Sequence, residues 1–362
     1  MQVVVIEHHA YDSPLRVGSH QIAAELCRRG HQVIWISHPR SVLHRLLGRP
    51  APRGRRHANG VLEIVPRVLL PYVNLPILGS IAWGRQWLRL APWIAAQLSA
   101  AGDRKVDLLW LSDFTLLPIL DHIGAERVVY RFFDHLDQFR WMPRSIFRLA
   151  AEYHNRADLV VATSEDVRRR LAQHGIDATY LPNGGVLWPQ PATPRRRENR
   201  VVYVGAMGPW LDFGAVELWA RALPDVGFDL VGPNPGLRSK LSNVRFLGPV
   251  PHDQLPELLW SARFGLIPFH VNELTRGVHP IKLYDYLAAG CPVLSSDLPE
   301  VPGDWPGVFT YRDPTHGLEI LRRHLCEEID PAPLRERAAE HTWSRRLDEV
   351  FVRLGMPSSP AA

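Results

Sequence analysis

The sequence predicts an α/β protein made of two Rossmann-like domains with parallel sheets, and three observations carry that prediction. The chain has 362 residues, enough for two cores of ordinary size. Short apolar runs at 3–6, 33–36, 106–111, 128–132 and 157–162 fit buried parallel strands, with helical segments between them. A second series of the same kind then starts at 201–205 and continues through 228–233, 244–250, 264–267 and 292–294. No internal sequence repeat accompanies the two series. The expected boundaries are 1–188 for the first domain, 189–200 for a linker rich in proline and arginine, 201–340 for the second domain, and 341–362 for a last helix and tail.

In chain order, the run at 3–6 is followed by a loop ending in Gly18, with Ser19 as the expected N-cap of a helix over 21–29. Gly30 ends that helix, and the strand at 33–36 completes a strand, helix, strand unit with a right-handed crossover. The strand at 128–132 runs into Asp134, His135 and Asp137. A carboxylate just beyond a parallel strand's carboxyl end is where open α/β sheets hold functional groups. Asp134 is therefore a candidate site residue, or else an N-cap of the following helix. Thr163 and Ser164 cap a helix over 165–173. Residues 182–185, Pro-Asn-Gly-Gly, predict a sharp turn using positive φ. Further helices fit 255–261 and 331–340. Thr342 caps a final one, on which Trp343, Leu347, Val350, Phe351 and Leu354 make one apolar stripe.

Composition narrows the function. The apolar fraction of 46% and charged fraction of 22% are those of a globular protein. Cys27, Cys291 and Cys326 have no ligand spacing, so the reading is a reducing compartment, no disulfide framework and no cysteine metal site. No stretch has the eighteen or so uninterrupted apolar residues of a membrane span, and the start of the chain lacks a signal-peptide pattern. The expected location is the cytoplasm. The net charge of +5 is uneven: Arg40, Arg45, Arg49, Arg53, Arg55 and Arg56 stand in one segment without an acid. Residues 68–98 then interleave Trp83, Trp87 and Trp93 with Arg85 and Arg89. This pattern suits peripheral contact with an anionic membrane surface at the inner face of the cell membrane, or a helix packed on its own core. No recognition motif for nucleic acid accompanies the charge.

Residues 272–300 carry the chemistry. Between the apolar runs at 264–267 and 292–294, Pro280 is a plausible first helical residue, Ile281, Tyr284, Leu287 and Ala288 recur at helical spacing, and Gly290 suits a left-handed C-terminal cap. The loop 268–279 brings Glu273, Arg276 and His279 toward that helix. Lys282 and Asp285 lie on one side of its first turn. A diphosphate can rest on the helix end and Lys282 while Asp285 accepts hydrogen bonds from sugar hydroxyls. The plain alternative is a crossover helix with a solvated charged face.

The run Pro280-Ile281-Lys282-Leu283-Tyr284-Asp285-Tyr286-Leu287-Ala288-Ala289-Gly290, followed by Pro292-Val293 and Asp297-Leu298-Pro299-Glu300, resembles the donor-site signature of GT-B-fold glycosyltransferases, near the bacterial members of glycosyltransferase family 4. That resemblance implies two Rossmann-like domains whose parallel sheets face across a cleft, the first binding an acceptor and the second a nucleotide diphosphate sugar, with no metal and no separate cofactor. The common pattern has two glutamates eight residues apart. Here Asp285 holds the second place, Gly277 stands at the first, and Glu273 is the nearest acid. The turn after 201–205 lacks the usual arginine and lysine, which Arg276 and Lys282 are expected to replace. The absence of any D-x-D triplet weighs against the metal-dependent alternative architecture.

Carried over residue by residue, the resemblance implies donor contacts from Gly205, Met207, Val250, Thr275, Arg276, Lys282, Leu283 and Asp285. It implies acceptor contacts from Gly18, His20 and His135, and catalytic roles for Asp134 and Glu273. His20 also has the reading of a packed core histidine. The expected reaction is sugar transfer from a nucleotide diphosphate sugar to an acceptor hydroxyl on a glycan, lipid-linked or small-molecule acceptor in bacterial glycan or glycosylated-metabolite biosynthesis. Retention of configuration follows from the family-4 likeness, whereas an Asp134 base implies inversion. Two other expectations stay open at this point: a noncatalytic sugar-nucleotide-binding subunit, and a sugar-nucleotide epimerase on the same fold.

Overall fold

A computed structural model of the chain describes residues 1–13, 15–41, 55–68, 70–86, 106–139, 142–189 and 197–357. The chain divides into two compact units, the first comprising Met1–Ser13, Ser19–Pro182 and Leu347–Ala362, the second Pro14–Gly18 and Asn183–Arg346. Each has its own sheet and core.

The main sheet of the first unit has β1 (Gln2–Glu7), β2 (Gln32–Ser37), β3 (Arg55–Arg56), β4 (Leu62–Ile64), β5 (Val106–Leu111), β6 (Ala125–Phe132), β7 (Leu159–Ala162) and β8 (Thr179–Tyr180), beside a small two-stranded sheet of Arg40–Ser41 and Arg67–Val68. They lie in the order β8-β7-β6-β5-β1-β2-β4-β3, parallel throughout except for the β3 edge. The central strand β1, Gln-Val-Val-Val-Ile-Glu, is buried at all six positions. Such β-branched runs, covered on both faces, are what a central parallel strand requires. The first helix, α1, spans Gly18–Arg28. It starts three residues earlier than the sequence predicts, so Ser19 is not an N-cap. Ser19 sits inside the first turn, buried, with its Oγ 3.2 Å from Ser112 Oγ.

After α2 (Ile81–Gly84) come α3 (Ile146–Glu152) and α4 (Glu165–Gln173), the last capped by Ser164, whose hydroxyl accepts from Val167 N as expected. Trp83 Nε1 donates to the Pro71 carbonyl, and Arg85 pairs with Glu152. Arg45, Arg49, Arg53, Trp87, Arg89 and Trp93 lie outside the described residues. Among the described residues no helix is long and apolar enough to cross a membrane.

The second unit's strands are β9 (Arg200–Val204), β10 (Gly227–Val231), β11 (Val244–Gly248), β12 (Phe264–Ile267), β13 (Val293–Ser296) and β14 (Val308–Tyr311). They form a parallel sheet in the order β11-β10-β9-β12-β13-β14. Its helices are α5 (Phe213–Ala222), α6 (Leu255–Ser261), α7 (Glu273–Arg276), α8 (Lys282–Ala288), α9 (Pro314–His324), α10 (Pro331–Glu340) and α11 (Trp343–Leu354). All five stripe residues of α11 are buried. From Leu347 onward this helix belongs to the first unit, where Arg29 reaches Asp348 at 2.7 Å.

Two local expectations need correction. The loop 268–279 contains its own helical turn, α7, because Asn272 and Thr275 form a capping box that satisfies two orphan backbone donors. Also, α8 starts at Lys282 with Ile281 as its cap, so Pro280 precedes the helix. Its other end follows the prediction: Gly290 has φ 68°.

The turn at 182–185 is corrected more sharply. Neither Asn183, Gly184 nor Gly185 has positive φ. Glycine is needed there for close approach instead. A Cβ on Gly184 would lie 2.7 Å from Trp343 N, and one on Gly185 2.5 Å from Tyr284 Cβ. Gly185→Ala is therefore expected to cost roughly 1–3 kcal/mol through overpacking, read as a lowered unfolding midpoint in thermal or denaturant melts. A melt identical to wild type would mean that Tyr284 yields freely.

Candidate functional site

In the second unit the site grows from two glycine turns. β9 ends at Val204, and Gly205 leaves it at φ 139°, its N–H donating to Val231 O at 2.9 Å. Gly232, just past β10, has φ 136°, and a Cβ there would stand 2.1 Å from Gly205 O. Conformation disfavours a side chain at both positions, and at Gly232 the Gly205 backbone leaves no space for one either.

Lys282 reaches this turn from the start of α8. Its Nζ lies 4.1 Å from the Tyr203 ring centroid and 4.7 Å from that of Phe269. A Cβ on Gly205 would be 2.7 Å from the same nitrogen. The rings offer their negative faces to the ammonium, but they replace water poorly. Burial pushes Lys282 down to about 7, with the charge of Asp285 opposing. The rings are themselves fixed: Tyr203 OH donates to Ala206 O at 2.6 Å, and burial raises its hydroxyl far above the ordinary range.

Asp285, three residues on from Lys282 along α8, is 6% exposed. Its Oδ1 is buried and has no hydrogen-bond partner among the described residues. A buried carboxylate oxygen without a donor is costly. His252 Nε2, at 3.8 Å, is near enough to feel its charge. Burial pulls His252 down, but the nearby Asp285 carboxylate outweighs that through its charge, so the imidazole is raised from its ordinary value. Trp188 flanks His252 with ring centroids 5.7 Å apart.

The remaining donor candidates divide. Val250 is half-buried against the core two residues past β11, just before Pro251 and the turn His252–Gln254. Met207 is buried, with its N–H donating to Pro233 O. Leu283 is wholly buried and its N–H donates to Pro280 O, so side chain and amide are both used by the fold. Thr275 is likewise wholly buried, its hydroxyl bonded to His270 O and to Asn272. Arg276 and Glu273 are exposed on α7. The loop's His279 packs inward, stacked on Tyr284 with its carbonyl accepting from Asn183 Nδ2 at 2.7 Å.

In the first unit a charged group forms at the carboxyl edge of the sheet. Asp134 lies two residues beyond β6 and is the one residue other than glycine with positive φ among the described residues, at 56°. That is strain, which folded proteins retain where surroundings over-determine it. Burial pushes its carboxyl up to about 6, against the opposing charge of Arg131. Arg131, buried within β6, is pushed down to about 10 by the same desolvation, while Glu7 and Asp134 oppose the shift. Burial also raises the carboxyl of Glu7, the last residue of β1, with a hydrogen bond from Ser19 and the charge of Arg131 pulling the other way.

Of the acceptor candidates, Gly18 opens α1. His20 is 2% exposed, packed against Tyr11 and Trp35, with Nε2 3.0 Å from Ala10 O, the environment of a core histidine. His135 is buried, its Nε2 2.8 Å from Asp166 Oδ2. The Asp137 side chain lies outside the described residues. Sequence reasoning passed over Glu7 and Arg131, although the first ends a buried strand in an acid, the same signal that singles out Asp134.

Comparison with known proteins bears on both units. Residues 215–351 match the family model described as "Glycosyl transferase-like", and residues 5–117 match "Glucuronosyltransferase GumK, N-terminal domain". A relative in Bacillus subtilis (strain 168), named "Putative teichuronic acid biosynthesis glycosyltransferase TuaH", is 28% identical over 195 residues. That match spans 48% of this chain and about half, 49%, of the relative. Among solved structures, Anabaena Alr3699/HepE in complex with UDP and glucose is similar over 98% of this chain and 99% of its own, with a TM-score of 0.68 and 16% identity. A UDP-forming α,α-trehalose-phosphate synthase from Burkholderia vietnamiensis is similar over 98% and 100%, with a TM-score of 0.63 and 13% identity. The fold is that of the GT-B glycosyltransferases: two α/β domains, each on a parallel sheet.

A carboxyl whose folded value lies above its unfolded one binds more protons in the native state between the two values, so it lowers stability as pH rises through that window. For Asp134 the window is about pH 4 to 6. Asp134→Asn keeps a residue tolerant of positive φ and is expected to remove this contribution. Melting temperatures of wild type and variant measured from pH 4 to 8 should diverge upward for the variant as pH increases. Parallel curves would place the Asp134 carboxyl in water.

Proposed function

We propose that this protein is a glycosyltransferase that moves a sugar from a nucleotide diphosphate sugar to an acceptor hydroxyl during bacterial glycan assembly. One observation carries the reading: the desolvated Lys282 ammonium against the Gly205 turn, with the unsatisfied Asp285 oxygen on the same helix. A diphosphate at the turn gives Lys282 its counter-charge, and ribose or sugar hydroxyls give Asp285 Oδ1 its missing donors. The matched glycosyltransferase models on both halves of the chain and the UDP-bound structural relatives support the same reading.

In the transfer, negative charge develops on the departing diphosphate. A fixed ammonium in a water-poor setting stabilises that charge without reorganising. The Val250 backbone is proposed to face the nucleotide base, and Arg276 to add charge from α7. Neither a cofactor nor a metal takes part in this donor chemistry as proposed. For the acceptor, Asp134 is the proposed contact in the first unit, and family-4 affinity implies retention of configuration. A base role for Asp134 would instead give inversion, so the anomeric configuration of the product, read by proton NMR, decides between them. TuaH is named for teichuronic acid biosynthesis, and a glycan acceptor is proposed by that analogy. Glu273 is proposed only as a surface contributor to the donor loop.

An anionic membrane surface is the proposed setting, on the strength of the arginines at 40–56 and of Leu75 and Ile77, which are 56% and 78% exposed. Sedimentation with vesicles containing anionic lipid should carry the protein down at low salt. Its failure to do so would remove the membrane from the proposal.

Isothermal titration with UDP and a panel of UDP-sugars tests the donor site. Lys282→Ala and Asp285→Ala are each expected to weaken binding at least tenfold and to abolish transfer, with circular dichroism unchanged; full activity in both would overturn the assignment. The lowered Lys282 value has a definite sign. The native state binds fewer protons than the unfolded chain between about pH 7 and 10.5, so this group adds stability as pH rises through that window. Donor binding needs the charged form, so affinity should fall above about pH 7. Lys282→Arg, which stays charged, should flatten that decline.

A further inference from the structure

We infer that His8, His38 and Asp113 form a binding site for a divalent transition-metal ion, an inference that does not depend on the proposed transfer reaction. The topology assembles it. His8 follows β1 directly, His38 follows β2, and Asp113 lies two residues beyond β5. These three strands are neighbours in the order β5-β1-β2 and run parallel, so their carboxyl ends deliver the three side chains to one edge.

The carboxylate is held as a ligand would be. Asp113 is buried, and its Oδ1 accepts from Thr115 N at 3.0 Å and Thr115 Oγ1 at 2.6 Å. Oδ2 is thereby turned to the two imidazoles: His38 Nδ1 is 2.7 Å away and His8 Nδ1 is 3.5 Å away. The rings stand with centroids 4.3 Å apart, and one ligating atom from each of the three residues falls within 4.8 Å of the others. Outer hydrogen bonds of this kind, fixing a ligand's orientation, are half of what makes a metal site.

Two imidazole nitrogens directed at one carboxylate oxygen can share it only through protons or through a cation. The geometry already presents one carboxylate oxygen, Asp113 Oδ2, to both imidazoles. Two histidines and a carboxylate suit zinc and its first-row neighbours. Bonds of about 2.0–2.2 Å set ligand atoms roughly 3.3 Å apart. The His8 pair already has that separation, and the His38 pair reaches it by opening about half an ångström. The His8 and His38 side chains are 30% and 19% exposed, which gives an ion a way in. Glu7 adds negative charge beside His8, and Arg40 opposes it. With three protein ligands, a coordination position is left for water or for an oxygen of a bound molecule.

Cobalt(II) is the probe, because its visible absorption reports ligand number and geometry. The 362-residue protein, first stripped with chelator, should take up one cobalt ion saturably, with a band that zinc displaces. His38→Ala and His8→Ala should each weaken uptake at least tenfold, while His122→Ala, at an exposed histidine away from the cluster, should bind like wild type. Zinc should raise the melting temperature of wild type and leave His38→Ala unmoved. Asp113→Asn is the less useful variant because Asp113 also caps the turn beginning at Phe114. No saturable band up to millimolar cobalt, or equal uptake by wild type and His38→Ala, would overturn the inference and leave the cluster held together by protons.

Discussion

The second unit is arranged around a charge taken out of water. Lys282 places its ammonium over Tyr203 and Phe269 and against the Gly205 turn, where desolvation outweighs the attraction of Asp285. Everything near it makes room for or fixes that position. Tyr203 is tied to Ala206, Phe269 N donates to Ser296 Oγ, and Tyr286 OH bridges Leu266 O and Val204 N. A cation so held costs free energy unless an anion pairs with it.

Close approach is the matching constraint. The Gly205 and Gly232 turns lie so near each other that no side chain fits at 232, and Gly265 leaves a site that a Cβ would fill against the Tyr286 ring, 2.4 Å from its Cγ. Gly185 does the same for Tyr284. At these positions glycine serves packing of backbone on backbone or on an aromatic ring. The result is that α8, a helix of only seven residues, is held in register with the strand ends on which its lysine and aspartate depend.

The first unit reaches a similar concentration of charge by other means. Buried Glu7 and Arg131 and half-buried Asp134 gather at one edge of the sheet, with Asp113 and its two histidines just past the ends of neighbouring strands. A buried arginine among carboxylates is stable only while its partners stay, and each partner's ionisation is set by the others. The strained backbone at Asp134 belongs to this arrangement, since the preceding strand and the buried Arg131 fix where that carboxylate can lie.

The two-domain α/β architecture was legible in the sequence because parallel strands buried on both faces must be continuous apolar runs, and runs such as 106–111 and 264–267 coincide with the strands. Lys282 and Asp285 were legible too, since three residues on a helix determine their own spacing. The apolar stripe of α11 was readable for the same reason. What sequence alone did not reveal depended on partners far along the chain. The Pro-Asn-Gly-Gly turn looked like a case of positive φ, but the demand on Gly185 comes from Tyr284, about a hundred residues away. Thr275 and Leu283 fit a binding pattern by position, and tertiary packing used their polar groups for capping and core. His8, His38 and Asp113 carry no motif because their spacings of 30 and 75 residues mean nothing until sheet order makes β5, β1 and β2 neighbours. Local periodicity is written into consecutive residues; burial, and with it the charge state of Lys282, Asp134 and Arg131, is decided only when distant segments exclude water together.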